Sequence, residues 1–269
     1  MSGTLYVCAT PIGNLEDITL RALRILKECD AIACEDTRHS LALLKKYDIY
    51  KPLISYFEHN EQQKSELLIQ RLMQGENIVL VSDAGTPCIS DPGYVLVSKC
   101  REQNIAVTVL PGANAGLCAL VLSGFKCDRF VFEGFLPKNN KERKQRLEAL
   151  KSEERTVIMH ESPHHLEKTL DELFEVLGDR KIALAREMTK IYEECIIFNL
   201  ASRKEALATI KGEFVIVIEG AQKQEEILLS AREQVELFIS QGMTKKDAIK
   251  LTAQKMGVPK NEIYMQVID

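Results

Sequence analysis

Residues 77–93 read NIVLVSDAGTPCISDPG, and the two halves of that stretch follow different rules. Asn77 to Ser82 is a short apolar, β-branched run, the pattern of a strand buried on both faces. From Asp83 the chain turns to Ala, Gly, Thr, Pro and Ser and closes on Asp91-Pro92-Gly93, a loop dense in turn-forming residues. A buried strand that stops at a small-residue loop is the unit from which ligand-binding α/β sheets are built, because ligands sit beyond the carboxyl ends of the strands.

The same unit recurs outward in both directions. TLYVCA (4–9), AIACE (31–35), a shorter run at 52–56 and AVTVL (106–110) read as strands. Between them, TLRALRILKE (19–28), a run through Leu41–Lys46, EQQKSELLIQRLMQG closed by Gly75, and roughly 93–103 read as helices. This βαβα rhythm predicts a mostly parallel sheet over residues 1–112. Past it, a helix at 115–123 leads to RFVFEGFLP (129–137) and the charged helix KNNKERKQRLEALKSEE. RTVIMH (155–160), KIALARE (181–187), EECIIFNL (193–200) and EFVIVIEG (213–220) are strands, while LEKTLDELFEVLG and ASRKEALATIKG are helices. Consecutive strand signals predict a mixed sheet over 113–221. Residues 222–269 carry no strand signal: one helix ends at Gly242, Thr244 caps a second that stops at Gly257, and Pro259 opens a third. The expected architecture is α/β, with two sheet domains and a small helical, helix-turn-helix-like appendage; a plain helical pair is expected there rather than a DNA reader.

Composition excludes several classes. Of 269 residues, 45% are apolar and 28% charged, which is globular and not disordered. No apolar run approaches the roughly 20 residues that cross a bilayer, and no basic segment precedes the first apolar stretch as in a signal peptide. The eight cysteines have no CxxC spacing and sit among aliphatic residues, which predicts buried thiols in a reducing cytoplasm. No GxGxxG, P-loop or GxSxG string occurs. His160-Glu161-Ser162-Pro163-His164 has the spacing of a helical zinc site, but Pro163 forbids a continuous helix there. His160 is expected to end a strand, with Ser162 capping and Pro163 opening the next helix, so no metal is expected.

Four small-residue turns at strand ends remain: Ala9–Leu15, Glu35–Arg38, Ser82–Pro87 and Pro111–Ala115. Together they predict a backbone-lined cleft suited to a neutral-edged group such as an adenine. In order, the strings ATPIGNLEDITLRAL, EDTR, SDAGTPCISDPG, LPGANA, FEGFLP, ESPHH and ALAREMTK resemble the tetrapyrrole methylase family over about residues 3–220. Within it they are most similar to members that methylate the ribose 2′-hydroxyl of a cytidine in the decoding region of 16S rRNA.

The resemblance implies S-adenosylmethionine in a cleft between two α/β domains, and a homodimer. By position it assigns the cofactor to Pro11, Ser82, Asp83, Ala84, Gly85, Thr86, Asn114 and Ala115, with His160 and Met188 from the second domain. Cys88 stands where the family string has glycine, PGANA replaces PGPSA, and His160 replaces a tyrosine. Methyl transfer to a hydroxyl needs alignment and assistance in removing a proton. Candidates are Asp36 and Arg38, beside Glu35, and Glu187, beside Arg186; Glu133 and Glu161 are weaker ones. Asp36–Arg38 reads equally as a structural ion pair.

RNA demands positive charge. Lys138, Lys141, Arg143, Lys144 and Arg146 against Glu142 give 5 − 1 = +4 locally, in a chain whose net charge is −4. Lys245 and Lys246, with Lys250, Lys255 and Lys260, against Asp247 give another 5 − 1 = +4. Tyr56 and Phe57 are the best-placed aromatics for stacking. A small-tetrapyrrole methyltransferase and a non-catalytic RNA-binding module are the alternatives.

Overall fold

The computed structural model describes residues 2–207, 212–222 and 229–267. The first five strands are β1 (Thr4–Cys8), β2 (Ala31–Cys34), β3 (Leu53–Ser55), β4 (Ile78–Val81) and β5 (Ala106–Leu110). They pair in parallel, in the order β3-β2-β4-β1-β5. Helices α1 (Leu20–Glu28), α2 (Thr37–Lys46), α3 (Glu61–Met73) and α4 (Tyr94–Glu102) make the crossovers. Alternation along the strands explains the burial. Leu5, Val7, Ile78 and Leu80 face a core with Leu68, Leu72 and Leu96, whereas Cys8, Ile32, Val79 and Val81 face Ala22, Leu26 and Leu44. Both faces are covered, as a parallel sheet requires.

After α5 (Ala115–Ser123) the second sheet is built from β6 (Phe130–Phe135), β7 (Thr156–Glu161), β8 (Lys181–Arg186), β9 (Glu194–Asn199) and β10 (Phe214–Ile218). Its order is β6-β7-β10-β8-β9; only β6 and β7 are parallel, so the sheet is mixed. Helices α6 (Asn140–Leu150) and α7 (Leu166–Leu177) send Leu147, Leu150, Leu170 and Leu173 against one face. The other face, with Ala183, Ala185, Val215 and Val217, meets Ala119 and Leu120 of α5.

Two elements differ from expectation. Ser162 and Pro163 do not open a helix. Pro163 takes the second position of a turn closed by the His165 N–H on the Ser162 carbonyl at 3.1 Å, and α7 begins at Leu166. The helix expected over ASRKEALATIKG is a 3-10 turn at Leu200–Ser202 followed by α8 (Arg203–Ala206); residues 208–211 of that expectation lie outside the described residues.

Both sheets belong to one compact unit, Met1–Ala221. A second unit, Gln222–Asp269, contains α9 (Ala231–Ser240), α10 (Lys245–Met256) and α11 (Lys260–Val267) around Val235, Ala248, Ile249 and Ile263. Ser230 and Glu233 form a capping box on α9, and the Thr244 hydroxyl caps α10. Among the described residues no helix is long and apolar enough to cross a membrane.

Candidate active site

Three loops at the carboxyl ends of β1, β4 and β5 are laced by main-chain bonds. Thr10 and Gly85 exchange N–H···O bonds of 2.8 and 3.0 Å. The Ser82 hydroxyl donates back to the Ala84 carbonyl at 3.3 Å, and the Thr86 hydroxyl donates to the Ala113 carbonyl at 3.1 Å. Gly85 has φ +80°, a conformation that favours glycine. Asn114 accepts the Leu117 N–H at 2.9 Å and so starts α5, which leaves its amide NH2 to the cleft.

These loops and β7 and β10 of the second sheet enclose a cavity of about 460 Å³. One wall is acidic, with Glu35, Asp83 and Asp91; the other holds Phe135, His160, Glu161, Ser162, Pro163, Glu213, Phe214 and Val215. Burial, reinforced by the charges of Glu35 and Asp83, pushes the Asp91 carboxyl up to about 7 against a hydrogen bond from Ser82. Burial and the Asp83 charge also raise Glu35. Burial lowers the His160 imidazole, so it is neutral at pH 7. Phe132 and Phe135 meet that ring edge-on, at centroid distances of 5.2 and 5.5 Å. His160 Nε2 and the Ser162 hydroxyl are buried polar atoms with no hydrogen bond, a costly state that a ligand's polar edge relieves. The cavity therefore offers carboxyl groups for a cation, three of its five on one wall, and backbone, amide and imidazole groups for a flat heterocycle.

Of the residues assigned from sequence, Asp83, Ala84, Gly85, Thr86, Asn114, Ala115 and His160 line this cavity. Pro11, Ser82 and Met188 do not. Pro11 is buried beside Ile12, which lines the cavity in its stead. Ser82 is buried beneath its own loop, and Met188 packs in the core with Ala119 and Val215.

The catalytic candidates Asp36, Arg38 and Glu187 are also outside it. Asp36 caps α2 and holds Arg38 through bonds of 2.8 Å to its N–H and of 3.2 and 2.9 Å to its guanidinium. That pairing pulls the Asp36 carboxyl down to about 2, and the Arg38 side chain is 90% exposed. Of that tetrad Glu35 lines the cavity, while the Asp36 N–H donates to Asp83 at 3.1 Å. Glu187, at φ +51°, binds Lys190 at 3.1 Å and the Glu213 N–H at 3.2 Å. Arg186 pairs with Glu194 at 2.8 Å.

Asp91 and the β10 residues escaped the sequence reading as site residues. Asp91 belongs to the loop after β4, but only the cavity distinguishes it from a turn residue. Phe214 and Val215 reach the site because they pair with Glu161 and His160 across the antiparallel ladder, a register no local pattern encodes.

Among the basic candidates, Lys138, Lys141 and Lys144 are exposed. Arg146 pairs with Glu133 at 2.6 Å. Arg143 is not a surface cation: its side chain is 11% exposed and bonded to Glu172 and Thr169. Lys245 and Lys246 are exposed at the start of α10. Tyr56 is 1% exposed and bonded to Ser65, so it is no stacking surface; Phe57 is 36% exposed.

The chain is 48% identical over 273 residues to ribosomal RNA small subunit methyltransferase I of Halalkalibacterium halodurans, covering 97% of this chain and 93% of the relative. The protein of the same name from Bacillus subtilis is 46% identical, with 97% and 93% covered. Solved structures share the fold at lower identity. A diphthine synthase aligns with a TM-score of 0.62 at 13% identity, covering 81% of this chain and 90% of that one. A Thermus thermophilus uroporphyrin-III C-methyltransferase complexed with S-adenosylhomocysteine gives 0.56 at 17%, covering 81% and 97%. The tetrapyrrole (corrin/porphyrin) methylase model matches residues 4–204. With that match, and two sheets meeting at an acidic, backbone-lined cavity, the chain belongs to the tetrapyrrole methylase family.

Proposed function

We propose that the protein is an S-adenosylmethionine-dependent rRNA methyltransferase acting on the ribose 2′-hydroxyl of a cytidine in the decoding region of 16S rRNA. The observation that carries this reading is the cavity: an acidic wall matches a cationic cofactor, and a wall of unpaired polar atoms and rings matches an adenine. Full-length similarity to rRNA small subunit methyltransferases supports the substrate.

When bound, the cofactor supplies an electrophilic methyl group for in-line displacement. Asp83, Glu35 and Asp91 balance its positive charge, and the Asp36 N–H holds the Asp83 carboxylate in place. Asn114, His160 and Ser162 offer hydrogen bonds to its polar edges, while Ile89 and Phe135 shield it from water. The ribose hydroxyl gives its proton to a carboxylate of the acidic wall; Glu35 and Asp91, held above the usual carboxylate range, are better bases near neutrality than Asp36. Asp36 and Arg38 then act as a positioning clasp, and Glu187 orders the loop after β8.

Lys138, Lys141 and Lys144 are exposed for RNA phosphates. The protein works in the cytoplasm as a homodimer; exposed Val109, Leu117, Val121 and Leu122 supply apolar surface for that contact. The test incubates the protein and tritiated S-adenosylmethionine with undermethylated small subunits, naked 16S rRNA and a tetrapyrrole. Label in a cytidine of the rRNA is expected, and label only in the tetrapyrrole refutes the reading. Lys144→Glu should impair rRNA turnover while calorimetric affinity for the cofactor is retained.

A further inference from the structure

The C-terminal unit contains a second cavity, of about 360 Å³, lined by Lys245, Lys246, Ile249, Lys260 and Tyr264. Ile249 is a core residue of the three-helix unit and forms its floor. Lys245 and Lys246 are the first two residues of α10, and Lys260 is the first of α11. These are the positions where the partial positive charge of a helix start disfavours a cation and favours an anion. Three lysines from two helix starts that already attract negative charge therefore line one cavity. Among the described residues none of the three lysines has an ion pair; the Asp247 carboxylate accepts from the Thr244 hydroxyl at 2.6 Å and Glu262 lies in the first turn of α11, so the three lysines outnumber the two carboxylates at these helix starts. The arrangement becomes favourable once an anion enters. Tyr264 adds the second half of a nucleotide site, a ring 51% exposed beside the lysines. A phosphate next to an open aromatic face is the pairing that single-stranded nucleic acid satisfies, since its bases are free to stack.

We propose that this cavity is a second RNA site, in which Lys245, Lys246 and Lys260 hold a phosphate of single-stranded RNA while the adjoining base stacks on Tyr264. The proposal rests on the rRNA reading above and assigns the appendage a part in it.

The test uses the full chain. Binding of a fluorescein-labelled single-stranded oligouridylate is followed by anisotropy across a salt series, beside methylation of 16S rRNA and calorimetric titration with S-adenosylmethionine. Lys246→Ala/Lys260→Ala should weaken oligouridylate binding about tenfold and reduce the slope of log affinity against log salt by about 1.4, that is, two contacts at about 0.7 each. Tyr264→Ala should cost about tenfold and Tyr264→Phe less than twofold, because stacking needs the ring and not the hydroxyl. Cofactor affinity should be unchanged. The melting temperature of the lysine variant should hold or rise, since cations have left helix starts.

If the wild type binds RNA and the lysine variant keeps its affinity and salt slope, this proposal falls and the rRNA reading stands. Equal losses in Tyr264→Ala and Tyr264→Phe also overturn it, as does binding that the lysine variant loses only on phosphatidylglycerol vesicles. A wild type that neither binds oligouridylate nor labels 16S rRNA overturns both.

Discussion

Arg143 donates from Nε to the Glu172 carboxylate at 2.7 Å, joining α6 to α7 beneath the surface. Its Nη2 donates to the Thr169 hydroxyl at 2.6 Å, and that hydroxyl donates on to Glu161 at 2.5 Å, on the wall of the main cavity. Arg143→Gln removes the cation that lies 4.0 Å from the buried Glu161 and that pairs directly with Glu172, and should cost about 3 kcal/mol of stability. Lys144→Ala, one residue along and exposed, should change stability by less than about 0.5 kcal/mol. Urea denaturation of the two variants checks the contrast; equal midpoints would return Arg143 to the surface.

Asp83 faces the cavity while accepting the Asp36 N–H at 3.1 Å. Asp83→Ala removes both a charge aimed at the cofactor and the anchor of the β2 loop. Calorimetry should find S-adenosylmethionine affinity at least about tenfold weaker, equivalent to about 1.4 kcal/mol. Undiminished affinity would move the cofactor's positive groups away from this wall.

Asp91 gives the protein a pH dependence of calculable sign. Its carboxyl titrates at about 7 in the folded chain, against about 3.9 when unfolded. Between those values the folded state holds the extra proton, so stability declines as pH rises from about 4 to about 7 and is level above. A cationic cofactor favours the ionised form, so its affinity should rise with pH through about 7 and then plateau. Asp91→Asn should flatten both profiles, in denaturation and calorimetry respectively.

Gly93 has φ +143°, and a Cβ there would stand 2.6 Å from Cys88 Sγ and 2.8 Å from Leu80 Cδ2. Gly93→Ala should therefore lose about 2 kcal/mol or more. Adding Cys88→Gly removes the sulfur and should recover part of that loss, leaving the Leu80 contact and the backbone strain. A double-mutant cycle on melting free energies reads the coupling; strict additivity would contradict the contact.

Most of the architecture was legible because its signals are periodic. The alternation in Leu5–Cys8 and Ile78–Val81 announces strands covered on both faces, and Thr244 and Gly257 bracket α10 as sequence rules expect. What failed shares a cause: chemically equivalent local patterns with different long-range partners. Pro163 suits a helix start and a turn equally, and the His165–Ser162 bond selects the turn. Arg143 and Lys144 look alike in a basic helix, yet only Arg143 faces the carboxylates of α7. Asp36 and Arg38 read from the sequence equally as catalytic groups and as an ion pair, and two residues apart they do pair. Cys88 departs from the family string at a residue with φ +72°, which explains why glycine suits that place.

The order β6-β7-β10-β8-β9 has a consequence for how the chain is made. Every strand of the parallel sheet has been synthesised by Leu110, so that layer can close while translation continues. The mixed sheet cannot, because its middle strand, Phe214–Ile218, is synthesised last. Until then β7 and β8 each present an unpaired inner edge, and such edges recruit foreign strands. A nascent chain paused before Phe214 thus holds one finished layer and one adhesive one. Chaperone capture and aggregation should therefore concentrate in that interval and end when β10 slots into the gap.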